Sequence, residues 1–377
     1  MSFQKFLSTK KGYSFMKSFT KTRQLRYVII AALFALSSIG FAVQAQDATP
    51  EAAPPDMGMP PLPGDLVVGD LSAPRGVAFD ANGNLLVAVA GRGGDFTTSV
   101  PSPDGSVVDM SMGMTGVVLS VAADGTATPL IPGFPSYAAP SETTGLYRAI
   151  PNGDSLWVLQ SGGGPTNAGH PWMDTISEID MATMHTIRTI NLNQYEAAND
   201  PDGRGYDTNV SDIAWLSDGT MLITDAGCNC LLSWTEEAGL ATVATWGNDV
   251  PTSVEVAADD SVYVGFLGEG LAPGAAKIEH WANGELVETF SGLNAVSDIL
   301  LDGDTLYAVQ LVVFGEQGPG PGSVVMVSAD GVTPVAEGLL APFGIAKGPD
   351  GALYVSFGTI AFAPGMTGGV VRIETGM

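Results

Sequence analysis

Six copies of one pattern, strand, tight turn, strand, recur along this chain. They read PRGVAFDANGNLLVAV (74–89), LYRAIPNGDSLWVLQ (146–160), VSDIAWLSDGTMLITD (210–225), PTSVEVAADDSVYVGF (251–266), VSDILLDGDTLYAVQ (296–310) and PFGIAKGPDGALYVSF (342–357). Each turn holds Asn-Gly, Asp-Gly or a close substitute, the residues that short hairpins need. A second hairpin follows in most units, such as CLLSWTEEAGLATVATW and AAKIEHWANGELVETF. Self-similarity at this period marks a repeat architecture. Four strands per unit and six units predict an all-β fold, a six-bladed β-propeller. No helical periodicity competes with it.

The two ends of the repeat region are complementary. The sixth unit ends at GGVVRIETGM, one strand short, while Leu66-Val67-Val68-Gly69-Asp70-Leu71 precedes the first. The N-terminal strand is therefore expected to complete the last blade, which leaves no open sheet edge. Equivalent positions Val77, Arg148, Ile213, Val254, Ile299 and Ile345 are spaced by 71, 65, 41, 45 and 46 residues. The extra residues fall between second and third strands and after fourth strands. In an up-and-down blade both connections emerge on one face, and binding sites of repeat proteins sit where insertions accumulate.

Charge is uneven. The seven charges of the first 45 residues are all basic, leaving eight basic and 40 acidic residues in 46–377, a net of about −32. Such a body repels phosphate backbones, which argues against nucleic acid as a partner. The apolar run YVIIAALFALSSIGFAV (27–43) follows the basic stretch and ends in Val43-Gln44-Ala45. That pattern predicts a signal peptide over 1–45, with Met16 as an alternative start, and a secreted or periplasmic protein without a span in the mature chain. Its alternative is an uncleaved N-terminal membrane anchor. A Pro-rich acidic linker (46–65) comes next, and the propeller is expected over 66–377 as a monomer. Cys228-Asn229-Cys230 holds both cysteines. Residues two apart fit disulfide geometry poorly, so two small, partly buried thiols are expected.

The loops carry the candidate site residues. Asp200, Asp202, Asp207 and Asn209 form the densest oxygen cluster, suited to a hard divalent cation, calcium first. The plainer alternative is a series of Asx turns. First-strand positions place Arg75, Tyr147, Asp212 and Asp298 at the channel mouth. Two aspartates facing one channel repel unless a cation or proton lies between them. Arg75, Arg92 and Arg148 either pair with loop carboxylates or bind a ligand anion. His170, in GHPW, is the one histidine placed near the loop face, and it has no general-base partner in the sequence.

The stretch DAGCNCLL (225–232) resembles the D-x-G-x-N signature of NHL repeats. Together, LSAPRGVAFDANGNLLVAVAGRGGD (71–95), YEAANDPDGRGYDTNVSDIAW (195–215) and LLAPFGIAKGPDGALYVSFG (339–358) are similar to the ScyD/ScyE family of exported propellers, named for a scytonemin pigment gene cluster. Asn209-Val210-Ser211 stands where that family has Asn-Pro-Tyr. The resemblance implies a six-bladed propeller outside the cytoplasm and no particular reaction. Three function classes follow. The first is a non-catalytic propeller whose loop face binds a small molecule, glycan or protein. The second is a metal-dependent hydrolase or lactonase of the gluconolactonase type, with Asp212, Asp298, Asn209 and Asp207 as the available cage. The third is a quinone-dependent sugar dehydrogenase, which the scarcity of histidine and basic residues disfavours.

Overall fold

The computed structural model describes residues 61–375 apart from 102–106, 140–141, 163–170, 316–317 and 361–365. The expected signal peptide, most of the expected linker and His170 lie outside the described residues. The fold is an all-β propeller. Units three, four and five are separate four-stranded antiparallel sheets, each an up-and-down meander. Unit three, for example, runs Val210–Trp215, Met221–Asp225, Cys230–Thr235 and Gly239–Thr245. The sheet of the last unit is completed by the N-terminal strand Asp65–Leu71, which pairs antiparallel with Gly368–Ile373, Asp65 facing Arg372. This strand begins at the last residue assigned to the linker.

Units one and two depart from the expectation of separate blades. Their strands form one nine-stranded sheet. The join is short: Tyr137 pairs with Thr144 and Ala138 with Thr143. Its cause is the length of the third and fourth strands of unit one, Val107–Val121 and Ala127–Ala138. They overrun the blade and meet the start of Thr143–Asn152. A further strand, Phe96–Pro101, pairs with the overrunning part of Val107–Val121, in a segment expected to be loop.

The core lies between neighbouring sheets. Leu86, Leu146, Leu156, Leu159 and Leu222 are wholly buried, each contributing about 1.5–3 kcal/mol by leaving water. Trp157 packs edge-on against Trp215 and Trp234, tying unit two to unit three. One helix, Leu192–Asn199, sits in the insertion before unit three. Asn191 caps it by accepting from the Gln194 amide. Its two turns carry no periodic apolar pattern in the sequence.

Cys228 and Cys230 are joined as a disulfide, against the expectation of free thiols. Asn229 between them takes a left-handed conformation (φ 50°), and this bend brings the Cα atoms to 5.2 Å, inside the range a bridge spans. Both residues are buried.

Candidate functional site

The inner strand of five units carries an irregularity at the same place. Pairing skips between Pro74 and Val77, Leu146 and Arg148, Val210 and Asp212, Pro251 and Ser253, and Val296 and Asp298. A bulge re-aims side chains at the sheet edge. Here it makes Arg148, Asp212, Ser253 and Asp298 counterparts of one another. It also shifts one expected equivalence, since Ala149, not Arg148, pairs as Val77 does.

These residues converge on the channel. Arg148 donates from Nη1 to Asp298 Oδ2 (2.9 Å) and from Nη2 to Asp298 Oδ1 (2.8 Å). Its Nε lies 3.0 Å from Asp212 Oδ1 and donates to the Ser211 carbonyl (2.9 Å). The cation needed between the two aspartates is thus an arginine of the chain itself. The remaining lone pairs are also used. Ile213 and Val254 amides donate to Asp212, and Ile299 and Ile345 amides to Asp298. All three ionic side chains are buried, as such charges must be fully paired to be. Room for Arg148 comes from Gly76, where a Cβ would lie 2.9 Å from Arg148 Cγ. Burial still pushes Asp212 up, to about 7, against the pull of Arg148.

Arg75 lies at the mouth. Its guanidinium sits over the Tyr147 ring at 5.2 Å and the Phe343 ring at 4.9 Å. It donates to the Thr143 carbonyl and pairs with Glu142 at 3.5 Å. Tyr147 and Phe343 meet edge to face. Arg92 is exposed on the loop between second and third strands of unit one.

The acidic loop is held by its own backbone amides and by side chains packed around it. Asp200 accepts from the Gly205 amide, and Asp202 from the Arg204 amide and the Asn229 side chain. Asn209 Oδ1 accepts from Ser161. Asp207 donates its amide to Glu196, which also accepts from Thr208. Burial pushes Glu196 up, to about 7. Asp225 accepts amides from Asn209, Gly227 and Cys228, and burial raises it well above its ordinary value. Among the described residues no three acidic, cysteine or histidine side chains are grouped to hold a metal ion.

One titratable group of the channel falls outside the expected set. Glu255 sits two residues beyond Ser253, and burial, then Asp212 and Asp298, push it up to about 8. The signal for it is in the sequence: the matching positions are Ala78, Ile150, Ala214, Leu300 and Ala346.

No family profile matches the chain, and no curated protein matches it. Among solved structures, a protein assigned as an oxidoreductase (glucose dehydrogenase) from Thermus thermophilus aligns with a TM-score of 0.52 at 14% identity, over 83% of this chain and 100% of that one. A gluconolactonase from Xanthomonas campestris gives 0.45 at 13% identity, over 83% and 99%. A streptogramin B lyase gives 0.45 at 13% identity, over 83% and 96%. At 14% identity the first likeness is one of fold alone, a β-propeller, and the other two are too distant to add to it.

Proposed function

We propose that this chain is an exported six-bladed propeller of the ScyD/ScyE type, whose long-loop face binds a small molecule, glycan or protein partner without turning it over. Counting six blades treats the nine-stranded sheet as two meanders, 74–138 and 143–191, bridged by two residue pairs. Export rests on the basic and apolar leader that ends at Ala45. Among the described residues no helix is long and apolar enough to cross a membrane.

The observation that carries the binding reading is the engagement of Asp212 and Asp298. A hydrolytic cage at the channel mouth needs carboxylates with free lone pairs to hold an ion and a water. Both carboxylates here are occupied by Arg148 and by four backbone amides. The exposed Arg92 and the half-buried Tyr147 are then offered to a ligand rather than to a reaction.

The test is a thermal-shift screen of the full chain against sugars, phenols, organic acids and peptides, run beside a lactone and ester hydrolysis assay with and without EDTA. Ligand-dependent stabilisation weakened by Arg92→Ala or Tyr147→Ala is the expected result. Lactone hydrolysis that EDTA abolishes and Asp212→Asn removes would overturn it in favour of the metal-dependent hydrolase.

A further inference from the structure

The overrunning ribbon of unit one makes a second feature of the loop face. Phe96 lies directly across from Met112, Met112 across from Tyr137, and Tyr137 across from Thr144. Directly opposed residues share a sheet face, so these four side chains stand in one row across four strands. Met114 and Pro135 extend the row two positions along their strands, on the same side. Phe96, Met112, Gly113, Met114, Pro135 and Tyr137 line a cleft of about 180 Å³. Its wall is open to solvent, with Phe96 64% and Met114 48% exposed.

The inner end of the same face carries three polar atoms that have no hydrogen-bond partner among the described residues. Tyr137 is 2% exposed and its hydroxyl is buried without a hydrogen-bond partner. Thr144 Oγ1, opposite it, is also buried and unpartnered. Gln160 pairs with Leu146, two residues along from Thr144 and so on the same face. Its amide nitrogen donates to the Pro135 carbonyl, while its Oε1 has no partner. A buried polar atom left unpaired is costly, so three on one sheet face form a standing preference for something that hydrogen-bonds them.

Their chemistry specifies that something. Among the described residues no charged side chain lines the cleft, which suits a ligand that is neutral there. Gln160 Oε1 only accepts, so the ligand must donate, while the Tyr137 and Thr144 hydroxyls take either role. Burial pushes Tyr137 up to about 12, with Asp174 adding to it, which keeps that hydroxyl protonated. The rest of the cleft is phenyl, thioether and proline carbon. Methionine sulfur favours contact with aromatic ring edges, and a cavity of about 150 Å³ already accommodates benzene. A sugar ring, with hydroxyls around its rim, leaves several of them against Phe96, Met112 and Met114 with nothing to bond.

We infer that this cleft is a binding site for a neutral single-ring phenol, its ring against Phe96, Met112 and Met114 and its hydroxyl directed to Tyr137, Thr144 and Gln160. The inference rests on the loop face being the binding face.

The experiment uses the full chain with ¹³C-methyl methionine, titrated separately with p-cresol, toluene and methyl β-glucoside. p-Cresol is expected to shift the Met112 and Met114 methyl signals saturably and to bind more tightly than toluene. Phe96→Ala, at a largely exposed position, should weaken p-cresol by roughly 3–10-fold, the loss of one aromatic contact. Tyr137→Phe should narrow the preference for p-cresol over toluene. Equal affinity for toluene, no saturable shift with p-cresol, or indifference to Phe96→Ala overturns the inference. Tighter binding of the glucoside overturns the phenol assignment but leaves the loop-face reading standing. That wider reading fails only if the ligand screen above, which samples Arg92 and Tyr147 rather than this cleft, also finds nothing.

Discussion

Arg148 and Asp298 grip each other across the central channel through two parallel hydrogen bonds, although 150 residues of chain separate them. Such fork-to-fork pairs fix orientation as well as charge. With Asp212 on the same guanidinium, one side chain from unit two holds the inner strands of units three and five.

Removing the arginine leaves two buried carboxylates without a cation. Arg148→Met should therefore lower stability by about 3–5 kcal/mol, the usual result of breaking a buried pair from one side. The triple variant Arg148→Met, Asp212→Asn, Asp298→Asn should recover most of the loss. Urea unfolding of the three proteins checks both, and a triple variant no better than the single one would refute the charge account.

Gly76 makes space for that arginine. A Cβ there meets Arg148 Cγ at 2.9 Å and the Tyr147 carbonyl at 3.0 Å. Gly76→Ala should cost about 1–3 kcal/mol through overpacking. Gly76→Ala in the Arg148→Met background should cost less, because the nearest atom, the Cγ, then belongs to a side chain no longer held by ion pairs. A double-mutant cycle by chemical denaturation measures the difference.

Glu255 gives a pH dependence with a definite sign. Its carboxyl is raised from an ordinary 4.5 to about 8 in the folded chain. A raised acid contributes fully below the unfolded value and loses that contribution as pH climbs through the folded one. Glu255→Gln should thus match the wild type near pH 4 and become the more stable protein as pH rises toward about 8. Melting curves across that range decide it, and a gap constant with pH would sink the assignment.

At the acidic loop, Asp200 and Asp202 already accept hydrogen bonds from loop amides, and Asp202 one more from the Asn229 side chain. Asp202→Ala with Asp207→Ala should lower Tm by the same amount in EDTA and in Ca²⁺, because what is lost is loop hydrogen bonding. A Ca²⁺-specific stabilisation of the wild type that the double variant lacks would restore the metal-binding alternative.

The hairpin turns and the closing strand are legible in the sequence because both are local: glycine turns and alternating apolar residues need only a short window. The channel cluster is legible only in part: its two aspartates and Arg148 can be picked out, but not that they meet one another. Ser211 and Asp212 are adjacent, and only the bulge decides which of them faces the channel. Phe96–Pro101 reads as loop because its threonines and serine look solvated and glycines precede it, yet the long strand beside it offers a free edge. Cys228 and Cys230 stand too close in sequence for a bridge to be expected, and it is the left-handed Asn229 that folds the chain between them. Glu255 escapes notice for a different reason. Its oddity shows only when the six inner strands are aligned column by column.

The pairing of Asp65–Leu71 with Gly368–Ile373 also sets a clock on folding. Every other sheet is assembled from strands close in sequence, and short loops close in microseconds or less. This seam joins strands from opposite ends of the propeller, the kind of contact that slows folding most. Until Gly368–Ile373 is available, the ring stays a sprung arc with one unmatched edge. The locally built sheets can therefore form first, and this seam is the contact that turns them into a closed ring.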